Sequence, residues 1–151
     1  MNDITWRDLA AELTADQVKE LTLEEQQLKG YANADLALFD MARDHADANR
    51  ADAQFAHIHA PAGVKTYHWQ PSPDGWRREV EGTTRTAHGV SAWVSGWQYS
   101  DGRVEGFVGV DAQAQAHAGE LTAAQAREVA AMMVEAAAEA EGLRYRAVAG
   151  G

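Results

Sequence analysis

With 151 residues the chain is long enough to bury a core of its own, and one domain accounts for that length. Its formal charge of −10 at pH 7 is uneven: residues 61–110 hold five acids and five bases, and the flanking segments carry the whole surplus. A duplex-DNA reader needs a basic stripe to neutralise phosphates, so no nucleic-acid partner is expected; the absence of Cys excludes disulfides, a thiolate nucleophile and Cys-ligated zinc.

The first residues, MNDITWRDL, lack a basic start followed by an apolar run, and nowhere do about eighteen apolar residues follow one another. A soluble cytoplasmic protein with no membrane partner is therefore expected. Thr5-Trp6-Arg7-Asp8 has the form of a capping box, in which a hydroxyl serves the first free N–H groups and an acid three residues on answers back. A short helix to about Leu13 follows. Thr14-Ala15-Asp16-Gln17 repeats the device and opens a second helix with Val18, Leu21 and Leu28 inward.

From Leu23 to about Ile58 there is no Pro and a single Gly, Gly30, which predicts one long helix or two joined there. Leu28, Ala32, Leu36, Phe39, Ala42, Ala46, Ala53 and Ala56 recur at three- and four-residue steps as its apolar stripe. The small residues suit close contact with the C-terminal helix or with a second copy in a homodimer. Asp40/Arg43 and Asp47/Arg50 read as i,i+3 pairs on the wet side.

Pro61 and Gly63 end the helical arm. Val64–Trp69 alternates as a strand, Pro71-Ser72-Pro73-Asp74-Gly75 turns, and Trp76–Glu81 returns. The strongest turn signal is Asp101-Gly102, within VSAWVSGWQYSDGRVEGFVGV from Val90 to Val110. A two-residue type I′ loop there predicts Ser100 opposite Arg103, Tyr99 facing Val104, Trp97 facing Gly106 and Trp93 facing Val110. That pairing gathers Trp93, Trp97, Tyr99, Val104, Val108 and Val110 on one face, which the flanking helices are expected to cover. The link from Thr83 to His88 has no clear pattern, and Asp111 to Gly119 reads as a small, polar linker. Thr122 and Gln125 cap a C-terminal helix carrying Ala126, Val129, Met133, Ala136 and Ala140 inward and stopping at Gly142. The expectation is a single α+β domain: a helical arm over residues 1–60, a four-stranded antiparallel meander over 61–111, a helix over 120–142 packed on the sheet, and a tail over 143–151.

The hairpin together with LTAAQAREVAAMMVEAAAEAE resembles the C-terminal module of small uncharacterised proteins from actinobacteria and their phages, in which a DGR turn and strand precede an Ala-rich LTxxQAR helix. The resemblance spans about residues 90–141. It implies lineage and carries no catalytic residue.

Three constellations invite chemistry. His57 and His59, with His68 a strand away, are residue types that hold a divalent metal; at a helix end, however, imidazoles also suit the negative end of the dipole. Asp40, Asp44 and Asp47 share a helical side with His45, but the intervening Arg43 and Arg50 give the pattern of a solvated face. Trp69 and Trp76, flanking the first turn beside Arg77 and Arg78, either pack on each other or form an exposed patch of the residue types that anchor interfaces. No G-x-S-x-G, P-loop, G-x-G-x-x-G or H-E-x-x-H occurs. The leading expectation is thus a non-enzymatic, cofactor-free interaction module acting on a host protein or on itself through Trp69, Trp76, Arg77 and Arg78. A metal-dependent enzyme using His57, His59 and His68, and an acidic DNA mimic, are the alternatives.

Overall fold

Local capping chemistry starts the helices of the computed structural model, which describes residues 4–112 and 120–149. Its chain forms two compact units, Met1–Ala56 and His57–Gly151. In the first, the Thr5 N–H donates to the Asp8 carboxylate at 2.6 Å, and a 3-10 helix runs Trp6–Glu12. Thr14 Oγ1 accepts from the Gln17 N–H at 3.3 Å while the Gln17 side chain accepts from the Thr14 N–H at 2.9 Å, and α1 spans Ala15–Gln27. The predicted long helix is broken where expected. Gly30 and Asn33 take positive φ, and α2 begins afresh at Ala34 and ends at Gln54.

Beyond the break the expected stripe holds in part, with Ala42 and Ala46 buried as expected. Leu38, Ala42 and Ala46 form the buried ridge at four-residue steps, whereas Leu36, expected inside, is exposed. Leu38 and Ala42 close a core with Trp6 and Leu21, flanked by Leu9, Leu13, Val18, Leu28 and Met41. The Trp6 indole N–H donates to Glu25 at 3.3 Å, and Glu25 takes both guanidinium nitrogens of Arg7 at 2.6 Å. On the wet side Arg43 pairs with Asp40 at 3.0 Å and Arg50 with Asp47 at 2.5 Å.

The second unit is an antiparallel sheet in meander-like order with one helix on it. The strands are β1 (Lys65–Thr66), β2 (Gln70–Ser72), β3 (Gly75–Ala87), β4 (Val90–Tyr99) and β5 (Val104–Ala112), and α3 spans Ala123–Ala149. The expected first strand is interrupted: β1 and β2 both pair with β3, and the loop between β2 and β3 is only Pro73-Asp74, with Ser72 opposite Gly75. Pro71 is tolerated in β2 because that strand lies at the sheet edge.

The two-residue loop expected at Asp101-Gly102 occurs instead at the hairpin before it. His88 and Gly89, in the link that showed no pattern, both take positive φ and join Ala87 to Val90 in a two-residue turn. Such a turn needs φ > 0 at both centres, and His visits that region more readily than most residues. At Asp101-Gly102 only the glycine has positive φ, at +89°. The Tyr99 N–H donates to the Arg103 carbonyl at 2.8 Å and the Gly102 N–H to the Tyr99 carbonyl at 2.9 Å, closing a three-residue loop. Register therefore slips by one from the expected pairing: Trp97 faces Glu105, Gly96 faces Gly106, Val94 faces Val108 and Trp93 faces Gly109.

A one-residue slip exchanges the faces of one strand relative to the other. Val104 and Val108 leave the tryptophans and join Ala92 and Val94, and α3 packs on that side. The dry core is Val80, Ala92, Val94, Val104, Met132, Ala136, Ala140 and Leu143. The expectation that the helix covers Trp93 and Trp97 is thus overturned. α3 is capped as predicted, with Thr122 Oγ1 accepting from the Gln125 N–H at 3.2 Å, but it runs through Gly142 to Ala149. Leu143, fully buried one residue later, holds the turn against the sheet in place of the expected stop. The expected linker falls largely on residues 113–119, outside the described residues.

Candidate interaction surface

β3 builds both sides of the site because its successive side chains alternate across the sheet. Arg78, on the α3 side, directs its Nε to Gln98 Oε1 at 2.8 Å and a terminal nitrogen to the Ile58 carbonyl at 2.9 Å. Its guanidinium lies 4.8 Å from the centroid of Trp69, which is 2% exposed. Gln98, itself buried, donates to the His59 carbonyl at 2.6 Å, and Pro61 next to this segment is fully buried. Trp69 and Arg78 therefore form an interior latch that ties residues 58–61 to the sheet, not an outward patch. Trp76 is half-buried on the same side, its carbonyl accepting from the Ser100 N–H at 2.8 Å.

Arg77 points the other way. Its guanidinium stacks 4.0 Å from the centroid of Trp97, and Tyr99 stands opposite it on β4. Arg103 stacks 4.2 Å from Tyr99, whose hydroxyl donates to Glu105 at 3.0 Å. Burial, followed by this carboxylate acceptor, holds the Tyr99 hydroxyl above its ordinary pKa. The Trp93 indole lies over the bare backbone of Gly109. A tryptophan facing a glycine was expected at Trp97 and Gly106; the register slip makes the pair Trp93 and Gly109. Trp93 and Trp97 are half-buried and Phe107 is exposed on the same face. Of the four residues singled out in the sequence, the structure places Arg77 alone on this aromatic face. The missed members are Trp93, Trp97, Arg103 and Phe107: the expected register put the two tryptophans under the helices, whereas the observed one sets them beside Arg103 and Phe107 on the face away from α3.

On the opposite side a bulge sets an ion-pair clamp. β3 has Gly82 and Thr83 opposite the single residue Val94, which shifts the alternation so that Arg85 lands on the α3 side. The Thr83 N–H, freed from the ladder, donates to Glu139 at 2.9 Å, and Arg85 meets the same carboxylate at 2.5 Å. Burial pushes the Glu139 carboxyl up, but the Thr83 N–H and the Arg85 guanidinium together outweigh it and hold the group below the usual carboxylate range.

His57, His59 and His68 are all exposed. Among the described residues no three His, Asp or Glu side chains are grouped closely enough to hold a metal ion, so the structure does not bring these histidines together as a ligand set. Asp40 and Asp47 are engaged by neighbouring arginines, and His45 approaches Glu20 at 3.7 Å. Among the described residues no helix is long and apolar enough to cross a membrane. Comparison with known protein families, curated proteins and solved structures finds no match to this chain.

Proposed function

We propose that the chain is a non-enzymatic protein-interaction module of a phage or prophage, acting on a host protein. The reading rests on the aromatic face of the sheet: Trp93, Trp97 and Phe107 with Arg77 and Arg103, on the side away from α3. Aromatic residues and arginine dominate the energetics of protein interfaces because they offer large, stiff contact areas with a polar handle. Here Arg77 is already stacked on Trp97, so docking freezes little further side-chain motion. The acidic surplus lies outside residues 61–110, which suits a partner that meets a neutral sheet. The resemblance over residues 90–141 supports an actinobacterial origin for the module.

The test is capture from an actinobacterial lysate by the tagged full chain, beside a Trp97→Ala variant whose circular dichroism matches wild type. One dominant protein is expected on the wild type. Titrated against the purified chain, it should lose about 2 kcal/mol of affinity, roughly thirtyfold, with the variant. A captured protein that binds both forms equally would rule out this face, and the absence of any specifically enriched protein would sink the reading.

A further inference from the structure

β5 is an edge strand. It pairs with β4 on one side, and among the described residues no strand pairs with its other side. Long edges invite association unless guarded by Pro, charge or a bulge; VEGFVGVDA contains no Pro and runs without a register shift, and its charges, Glu105 and Asp111, restrict association to a register that matches them. The edge is also accessible: Phe107 is 44% and Val110 50% exposed, and Gly106 and Asp111 are exposed as well.

Backbone direction follows from the loop. Since Tyr99 and Arg103 are hydrogen-bonded partners, alternation turns the N–H and C=O groups of Val104, Gly106, Val108 and Val110 away from β4. We propose that a second copy of this chain takes up these groups, joining β5 to β5 antiparallel about a two-fold axis at Phe107.

The sequence of the strand selects both the occupant and the register. With the axis at Phe107, Gly106 pairs with the partner's Val108 and Val104 with the partner's Val110 through the outward backbone groups. Arg103 then stands opposite the partner's Asp111, twice by symmetry, and the two Phe107 rings meet. These last pairs are of the non-hydrogen-bonded kind, in which side chains approach most closely. Moving the axis to Val108 sets Glu105 against the partner's Asp111, and moving it to Gly106 sets Asp111 against the partner's Asp101; both oppose like charges. Only the Phe107 register of these three matches charge to charge. The contact is isologous and therefore closes at two copies, which caps the edge instead of propagating it. The two sheets become one, with both Trp93/Trp97 faces on the same side. This dimer does not require the proposed host partner.

Sedimentation equilibrium of the full chain tests the dimer. Wild type is expected at twice the 16.4 kDa chain mass. Val110→Pro removes an outward N–H while leaving every bond to β4 in place, and should run at the single-chain mass with an unchanged circular dichroism spectrum. Arg103→Asp and Asp111→Arg should each raise the dimer dissociation constant about tenfold or more, and the double swap should restore it. A monomeric wild type at micromolar concentration overturns the proposal, as does a dimer that Val110→Pro leaves intact or charge reversals that fail to compensate. Trp97→Ala should leave the mass unchanged, so failure of the dimer and failure of host binding are read separately.

Discussion

The carbonyl oxygen of Ala140 lies 2.3 Å from the point where a Cβ on Gly106 would stand. α3 thus rests directly on the backbone of β5, and no side chain larger than hydrogen fits between them. Because the obstruction is main chain, it cannot swing aside as a flexible side chain would. Gly106→Ala should destabilise the second unit by about 1–3 kcal/mol, the usual cost of overpacking. Urea unfolding checks this, and an unchanged midpoint would show that α3 does not sit where described.

Gly142 is the opposite case. It lies inside α3 without positive φ, and nothing stands within 4 Å of a Cβ built on it. Alanine there loses less backbone freedom on folding, so Gly142→Ala should stabilise by about 0.5–1 kcal/mol. A loss of stability would mean that the helix ends at Gly142 after all.

The clamp around Glu139 makes stability depend on pH. A carboxyl whose folded pKa lies below its unfolded value contributes stability above the unfolded pKa and loses it as pH falls through the folded one. Glu139 is held low despite the opposing pull of burial, by the Thr83 N–H and then Arg85. Wild type should therefore weaken as pH drops below about 4.3, the ordinary glutamate pKa. Glu139→Gln, already uncharged, should be less stable at neutral pH and show a shallower acid loss. Parallel acid profiles for the two proteins would remove the clamp from the account.

Removing the Arg78 latch leaves Gln98 Oε1 and the Ile58 carbonyl without their donor and Trp69 without its stacked cation. Arg78→Met keeps the length of the side chain and should cost about 1–3 kcal/mol, the penalty for partly buried groups left unmade. Residues 57–61 should become the first site of limited proteolysis. Arg77→Met, by contrast, touches only the aromatic face and should leave that segment resistant. Equal cleavage of the two variants would deny the separation of these neighbouring arginines onto opposite sides.

Much of the fold is legible one turn at a time. Thr5 with Asp8, Thr14 with Gln17 and Thr122 with Gln125 announce helix starts because both partners of each cap lie within four residues, and the break at Gly30 follows from backbone freedom alone. The α+β order is equally local, since a stretch with period two cannot bury the same face as one with period 3.6. The stripe over α2 was legible at Ala42 and Ala46 and misread at its ends, where Leu38 takes the buried place expected of Leu36 and Ala53 and Ala56 are exposed.

Inside and outside of the sheet were a different matter. A two-residue loop and a three-residue loop are both compatible with Asp101-Gly102, yet choosing between them moves every β5 side chain to the other face. Contacts far away in the chain decided it: Ala140 needs Gly106 beneath it, and Val80, Ala92, Val94 and Val104 form a continuous dry floor for Met132, Ala136 and Leu143 in one register alone. The sequence by itself settled where the helices begin and that an antiparallel sheet lies between them, since those signals act between neighbours; which face carries tryptophan to the surface was settled only by α3, because burial is a property of the assembled layers.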